Sequence, residues 1–341
     1  MKSNTLKKAL LPLALLTSTS SFAADPSHLE MAHNKGAFMM EYRYMHMSME
    51  GLQSGTSSVK DAEALSASSY NHLMIPTKMT MDMHMLMPMY NITKDTSVML
   101  MANYVSNKMD MEMRSGMKMD METSGLSDTS VSVSHKFFDD MFAASFNVSV
   151  PTGSIDEKAT MMMYDAMMDM NMLMEMTAPY AMQLGSGTYD ITPSLTYLGA
   201  YFDLRYGAQV SYKLRTGEND NGYTLGDSAE GKAWVRKPVM GVSLDAELSV
   251  NKWGAIDGKD SSIGTMASMK MPNNMVMTGT APPTSLTQNT GGTMATLAVG
   301  ASVPVSMVSI GLDMQFPVYQ DLNGLQMTRK MGYSLSLISH F

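Results

Sequence analysis

Methionine is the residue whose number and spacing ask for a chemical explanation. The chain of 341 residues carries 44 methionines and no cysteine. They gather at 39–49, 79–89, 109–121, 161–176 and 266–277. In the third cluster Met109, Met111, Met113, Met117, Met119 and Met121 alternate with Asp110, Glu112, Lys118 and Asp120. The fourth holds Met161, Met162, Met163, Met167, Met168, Met170, Met172, Met174 and Met176, with Asp165, Asp169 and Glu175 among them. A thioether is a soft, uncharged ligand that favours Cu(I) among first-row metals, and Ag(I) by the same softness. On an extended chain, M-x-M spacing sets two thioethers about 6.6–7 Å apart, so flexible side chains from neighbouring segments can converge on one ion. Met45, Met47 and the two long clusters are therefore the candidate metal ligands, with His28 and His33, which flank Met31, as auxiliaries. The same residues also suit a pliable apolar surface for hydrophobic solutes, a sink for oxidants, or a bare compositional bias. The spacing permits metal contact without specifying it.

Other chemistries find less support. No G-x-S-x-G motif occurs, and no Ser, His and acidic set nominates itself as a catalytic constellation, so the chain does not read as an enzyme. A net charge of −8 offers no basic footprint for nucleic acid. Without cysteine, disulfide scaffolds and cysteine-based metal sites are excluded.

The elements that must position the methionines show a period of two. In 202–214 Phe202, Leu204, Tyr206, Ala208, Val210, Tyr212 and Leu214 share one face, and Asp203, Arg205, Lys213 and then Arg215 fall on the other. Val242, Leu244, Ala246, Leu248 and Val250 oppose Asp245 and Glu247 in the same way. A helix would spread these residues round its circumference, so they read as strands. About twelve such segments recur. Short breaks at 91–96, 138–140, 199–201, 237–240 and 304–306 alternate with long ones at 48–76, 108–125, 151–186, 216–227 and 254–292, with a shorter one at 317–327. After the N-terminus no apolar run reaches the roughly 18 residues of a membrane-spanning helix. The expectation is an all-β transmembrane antiparallel barrel, with short periplasmic turns and long methionine-rich outer loops, in a bacterial outer membrane.

Lys2, Lys7 and Lys8 before the apolar stretch 9–16, and small residues at Ser21 and Ala23, read as a signal peptide over 1–23. Residues 24–36 are expected as an N-terminal segment in the lumen, and 37–341 as the barrel. The expected lumen residues are Glu41, Arg43, Asp82, His84, Asp203, Arg205, Lys213, Arg215, Asp245 and Glu247. Charges of this kind set the selectivity of a pore. In 79–89 every second residue is methionine, opposite Thr80, Asp82 and His84. That pattern is read with the polar side toward the lumen and the methionines toward lipid.

At Ser124-Gly-Leu-Ser-Asp128, Val150-Pro-Thr-Gly-Ser154, Pro179-Tyr-Ala-Met-Gln-Leu-Gly-Ser-Gly-Thr-Tyr-Asp190 and Pro317-Val-Tyr-Gln-Asp-Leu-Asn-Gly324 the chain resembles a bacterial family named for a meta-pathway of phenol degradation. Phe38-Met-Met-Glu-Tyr-Arg-Tyr-Met45 and Pro76-Thr-Lys-Met-Thr-Met-Asp-Met-His84 are similar to a methionine-rich branch of it. The resemblance implies a transporter-like outer-membrane barrel and supplies no site. The chain end at Phe341, with Tyr333, Leu335 and Leu337 at even offsets before it, resembles the signal read by the outer-membrane assembly machinery. The expected function is passage or binding of a small solute, with soft metal, Cu(I) or Ag(I), held by the loops as the sharper form. Uptake of hydrophobic aromatic compounds and a purely structural barrel are the alternatives.

Overall fold

The computed structural model describes residues 35–165, 170–264, 268–270 and 276–341. In chain order, β1 (Phe38–Gly55) folds back on the short β2 (Ser57–Val59), and a one-turn helix α1 (Asp61–Ala64) leads to β3 (Met74–Asn91). β4 (Thr96–Met113) turns into β5 (Lys118–Leu126), which β6 (Thr129–Phe137) and β7 (Phe142–Val150) follow. An excursion then carries a separate hairpin of β8 (Lys158–Asp165) and β9 (Met170–Thr177). After it come β10 (Tyr189–Tyr201), β11 (Leu204–Thr216), β12 (Tyr223–Thr224), β13 (Ser228–Val239) and β14 (Val242–Trp253). Three short strands, β15 (Asp257–Gly258), β16 (Ser268–Lys270) and β17 (Val276–Thr278), precede β18 (Gly292–Val305) and β19 (Val308–His340).

Eleven of these strands close a ring in the order β1-β3-β4-β6-β7-β10-β11-β13-β14-β18-β19, each antiparallel to its neighbours, with β19 returning to pair with β1. Sequence led us to expect about twelve. β19 is 33 residues long. Its residues 308–322 pair with β18 and 322–340 with β1. Ser334 Oγ donates to Asp313 Oδ2 at 3.1 Å and Arg329 N to Gln320 Oε1 at 2.9 Å, so the two halves lie against each other.

A closed ring leaves no backbone edge in lipid. The side chains sort accordingly. On β6, Ser130, Ser132, Ser134 and Lys136 are buried while Val131 and Val133 are exposed on the outer wall. On β11, Gln209 and Ser211 are buried inside and Val210 and Leu214 face out. Leu244, Leu248 and Val250 on β14 continue the same apolar outer belt. Phe138, Tyr201 and Phe202 are exposed aromatics at the short-turn end, as an interfacial girdle requires. The tight connection Met240–Gly241 has both residues at positive φ, the twist that two-residue hairpins favour.

Three expectations are corrected. The segment 108–125 is not a loop. β4 runs to Met113 and β5 returns from Lys118, pairing Met109 with Met121 and Met111 with Met119. An alternation of methionine and charge is itself a strand pattern, and here it extends the wall past the length needed to cross the hydrocarbon core. The same applies at 48–55 on β1 and at 317–327 on β19. In the segment 161–176, β8 and β9 form a paired hairpin, with Met161 opposite Met174 and Met163 opposite Met172. Finally, the faces of β3 are inverted. Met79, Met83, Met85, Met87 and Met89 are buried in the interior, whereas Asp82 and His84 are on the outer wall.

Candidate functional site: a two-faced lumen under a latched roof

The interior has two chemically distinct walls. β3 contributes methionine at every inward position from Met79 to Met89, and β1, β4 and β5 add methionines interspersed with Glu41, Arg43, Ser97, Asn103, Val105, Asn107 and Thr123. The outward positions of β1, β3 and β4 take Tyr42, Leu86, Tyr90, Leu100 and Tyr104 beside a half-buried Met40. Across the lumen the inward residues are hydroxyls, amides and charges: Ser145 and Asn147 on β7, Thr192 and Ser194 on β10, Gln209 and Ser211 on β11. The antiparallel register places methionines side by side in rungs. Met39, Met89 and Met99 form one at the short-turn end. Met49, Met79, Met109 and Met121 form another at the opposite end.

A cavity of about 330 Å³ lies between the walls. Met79, Met81, Met83 and Met109 line one side, and Asn147, Asp190, Thr192, Lys213 and Arg215 the other. Its roof is the segment from Tyr180 to Ser186, extended by Pro283, Thr284 and Asn289. Asp128 fastens this roof. Its carboxylate accepts hydrogen bonds from Gly153 N at 3.0 Å, Ser186 N at 2.9 Å and Ser186 Oγ at 2.7 Å. Gly153 and Gly185 let the segment after β7 and the roof touch backbone to backbone: a Cβ on Gly153 would stand 2.7 Å from Leu184 O and 2.8 Å from Gly185 Cα. Thr123 Oγ1 on β5 donates to Met182 O at 2.7 Å, and Tyr180 Oη accepts from Asp260 N at 2.9 Å. The Tyr180 and Tyr223 rings meet edge-on at 5.0 Å. Burial raises the Tyr180 phenol and pushes Tyr223 up to about 12, so this contact stays neutral across the physiological range.

Three of the four motifs that carried the family resemblance thus meet at one carboxylate. The fourth, 317–324, contributes Gln320 and Leu322 to the cavity.

Of the expected lumen charges, Glu41 is fully buried and accepts from Arg43 Nε at 2.7 Å. Lys213 and Arg215 line the cavity, and Arg215 is paired with Asp190. Asp245 is also inward: a Cβ on Gly300 would collide with its carboxylate and with that of Asp313. Glu247 shares that parity on β14. Asp203 is an exposed turn residue, and Arg205 is exposed at the same rim. Asp82 and His84 do not line the lumen. Asp82 Oδ1 accepts from Tyr44 Oη at 2.5 Å and lies 2.8 Å from His46 Nδ1, while His84 Nδ1 lies 2.7 Å from Tyr42 Oη. These outward polar groups satisfy one another across β1 and β3, which is how they are accommodated on an otherwise apolar wall.

Of the expected metal ligands, Met45, Met47, Met109, Met111, Met113 and Met121 are buried in the interior. Met119 and Met176 pack partly buried against the cluster that holds Met109, Met111, Met113 and Met121, and Met117 is exposed in the turn after β4. Met161, Met162 and Met163 are on β8, and Met170, Met172 and Met174 on β9. His28, His33, Met167 and Met168 lie outside the described residues, as do the expected signal peptide and most of the N-terminal segment. Sequence reasoning missed Arg329, whose Nη2 donates to Gln315 Oε1 at 3.0 Å and lies 2.7 Å from Met47 Sδ. It also missed Asp128, although the motif containing that residue was singled out.

No family model matches the chain, so the phenol-degradation resemblance rests on the motifs alone. No curated protein matches it. Solved structures do. An outer-membrane channel of Pseudomonas putida F1 is similar over 91% of this chain and 97% of its own, with a TM-score of 0.58 at 13% identity. Looser matches are the translocator domain of the Neisseria meningitidis autotransporter NalP (TM-score 0.44, 9% identity, 93% and 92% covered) and the P. putida toluene transporter TodX (0.43, 9%, 96% and 94%). In fold, the chain is a β-barrel of the outer-membrane type.

Proposed function

We propose that this protein is an outer-membrane channel for a small solute, held closed at its outer mouth by the Asp128 latch. The observation that carries the reading is the two-faced cavity. A closed barrel with only a structural task has no need of a thioether wall set opposite hydroxyls, amides and paired charges. The cavity volume falls in the range of small-molecule sites. Counting the two halves of β19 separately gives twelve strands, the even number usual for bacterial outer-membrane barrels. The short turns would then face the periplasm and the roofed end the exterior, with outer-membrane lipid round the apolar belt. Reconstitution in planar bilayers tests the reading. The wild type should conduct weakly, and Asp128→Ala should raise the open probability. A silent Asp128→Ala barrel that is folded and inserted would sink it.

A second reading has one specific observation in its favour. Methionine sulfur makes favourable contacts with aromatic rings, and the wall would serve an apolar aromatic solute. Replacing wall methionines with leucine should leave the passage of such a solute nearly unchanged, because apolarity is kept.

A further inference from the structure

We infer that the rung Met49–Met79–Met109–Met121 is a binding site for a soft monovalent cation, Ag(I) or Cu(I), at the outer entrance of the channel proposed above. The four residues lie directly opposite one another on β1, β3, β4 and β5. Facing positions of adjacent antiparallel strands hold their Cβ atoms about 4.5–5.5 Å apart. Met79, Met109 and Met121 are buried, and Met49 is partly buried against them. Four flexible thioethers in one row bring two or three sulfurs within reach of a single ion, and neutral soft donors discriminate against Zn(II), Mg(II) and Ca(II).

Methionine is concentrated at the rung. The cluster containing the rung holds seven buried and four partly buried methionines, and its other described members are two alanines. Two neighbouring clusters pack loops against the same end of the barrel. One is built from Tyr180, Tyr223, Trp253, Ile256, Ile263, Leu322 and a single buried methionine, the other from Leu52, Val59, Ala64, Ile75 and Leu325, with Met327 packed partly buried against it. Tyr180, Trp253, Ile256, Leu322 and Leu325 of these two clusters also border the cavity, so around one space the methionines gather on the β1–β3–β4–β5 wall and the branched and aromatic side chains lie on the other apolar parts of its lining.

Position supports the same assignment. Met79 is twelve residues from the short-turn end of β3 at Asn91, beyond the 9–11 residues that cross the hydrocarbon core, so the rung sits at the outer mouth. On the other face of the same hairpin the acids are paired, Lys108 with Asp120 and Glu122 and Lys118 with Glu112, so the attraction for a soft cation rests on the thioethers themselves. From the rung, Met83, Met85 and Met87 continue the thioether wall down β3 to the second rung, with successive inward residues about 6.6–7 Å apart.

The test is titration of the folded, detergent-solubilised barrel with silver nitrate in chloride-free buffer, against a competing thioether peptide. The wild type is compared with the four-site variant M49L/M79L/M109L/M121L and with M240L/M307L, which changes two exposed turn methionines. Leucine keeps the volume and apolarity of methionine, and heat-modifiability on gels checks that each barrel is folded. The expected result is tight binding by the wild type and by M240L/M307L, weakened about tenfold or more in the four-site variant. Methyl-¹³C spectra of the wild type should show the rung Cε signals moving first. Equal binding by all three proteins, no binding by the wild type, or shifts confined to methionines elsewhere would overturn the site. Silver bound at the rung of a barrel whose Asp128→Ala variant passes no current would keep the site and remove the channel. A conducting barrel indifferent to silver would do the reverse.

Discussion

Asp128 immediately precedes β6 and yet governs a segment up to 58 residues further along the chain, through Ser186. Hydrogen bonds to a charged group are worth about 1.5–3 kcal/mol each in net terms, less where the group is only partly buried. Asp128→Ala should therefore loosen the roof while leaving the barrel ring intact, seen as raised conductance with unchanged heat-modifiability. Ser186→Ala removes one of the three bonds and should have a smaller effect in the same direction. A second residue, His72, ties the connection after α1 to the segment after β17. Its buried Nδ1 donates to Ala281 O at 2.6 Å. Burial lowers its pKa below the ordinary 6.5, and the Arg114 charge adds to that, against an opposing contribution from the Ala281 carbonyl. The unfolded or undocked state thus binds more protons, and stability rises with pH in this window. The docking is fully present above about pH 6.5 and is lost as pH falls toward the depressed folded value. Hydrogen exchange at the amides of Leu73 and Thr280, bonded to Thr280 O and Asn71 O, should accelerate below pH 6.5 beyond the intrinsic trend. His72→Gln should abolish that pH dependence. If the two amides follow the intrinsic trend in the wild type, His72 does not control the docking. Arg114 holds the same junction through Leu65 O, Asn71 Oδ1, His72 O and Thr278 O, so Arg114→Ala should expose it to proteolysis at every pH.

At the scale of the strand, alternation decides which side chain meets lipid. A lysine on the lipid face costs about 2–4 kcal/mol near the bilayer midplane, whereas a hydrated lumen tolerates it. Leu100→Lys on the outer wall of β4 should then lower refolding stability in lipid, and Ser132→Lys on the inner wall of β6 should cost much less. Equal costs would mean that the faces are assigned wrongly. β11 and β14 were legible in sequence because one face is apolar throughout and the other carries full charges. β3 was misread because its methionines satisfy either environment, and Asp82 and His84 drew the polar side inward. Leu86 and Tyr90 share the parity of Asp82 and are exposed on the outer wall, so the decisive signal was present four residues further along. The hairpin of β4 and β5 was misread for another reason. Strand length was judged against membrane thickness, while the wall continues beyond it and its alternation of methionine and charge is the mark of a strand with one apolar face. The latch was not legible at all. Asp128, Gly153 and Ser186 are brought together by ring closure and by glycine packing, and neither leaves a local pattern in the chain.

For the whole molecule, closure is the condition that makes every other feature possible, since an open edge in lipid would strand a row of backbone donors and acceptors. The ring closes between β1 and β19, and its last pair joins the two ends of the barrel. Phe38 N donates to Phe341 O at 3.3 Å, and Phe341 N donates to Phe38 O at 2.9 Å. The two rings lie 5.9 Å apart. The terminal residue therefore does two separable things: its backbone completes the seam, and its ring packs over it. Deleting Phe341 removes both, whereas Phe341→Ala removes only the ring. The expected order of heat resistance is wild type, then Phe341→Ala, then the deletion. Amide exchange should accelerate in the same order, at Phe38 first. Were the alanine variant as labile as the deletion, the aromatic contact would carry the seam and the backbone pair would add little. Were all three alike, the seam would be held by the longer register from Met39–His340 upward, and Phe341 would add nothing to it.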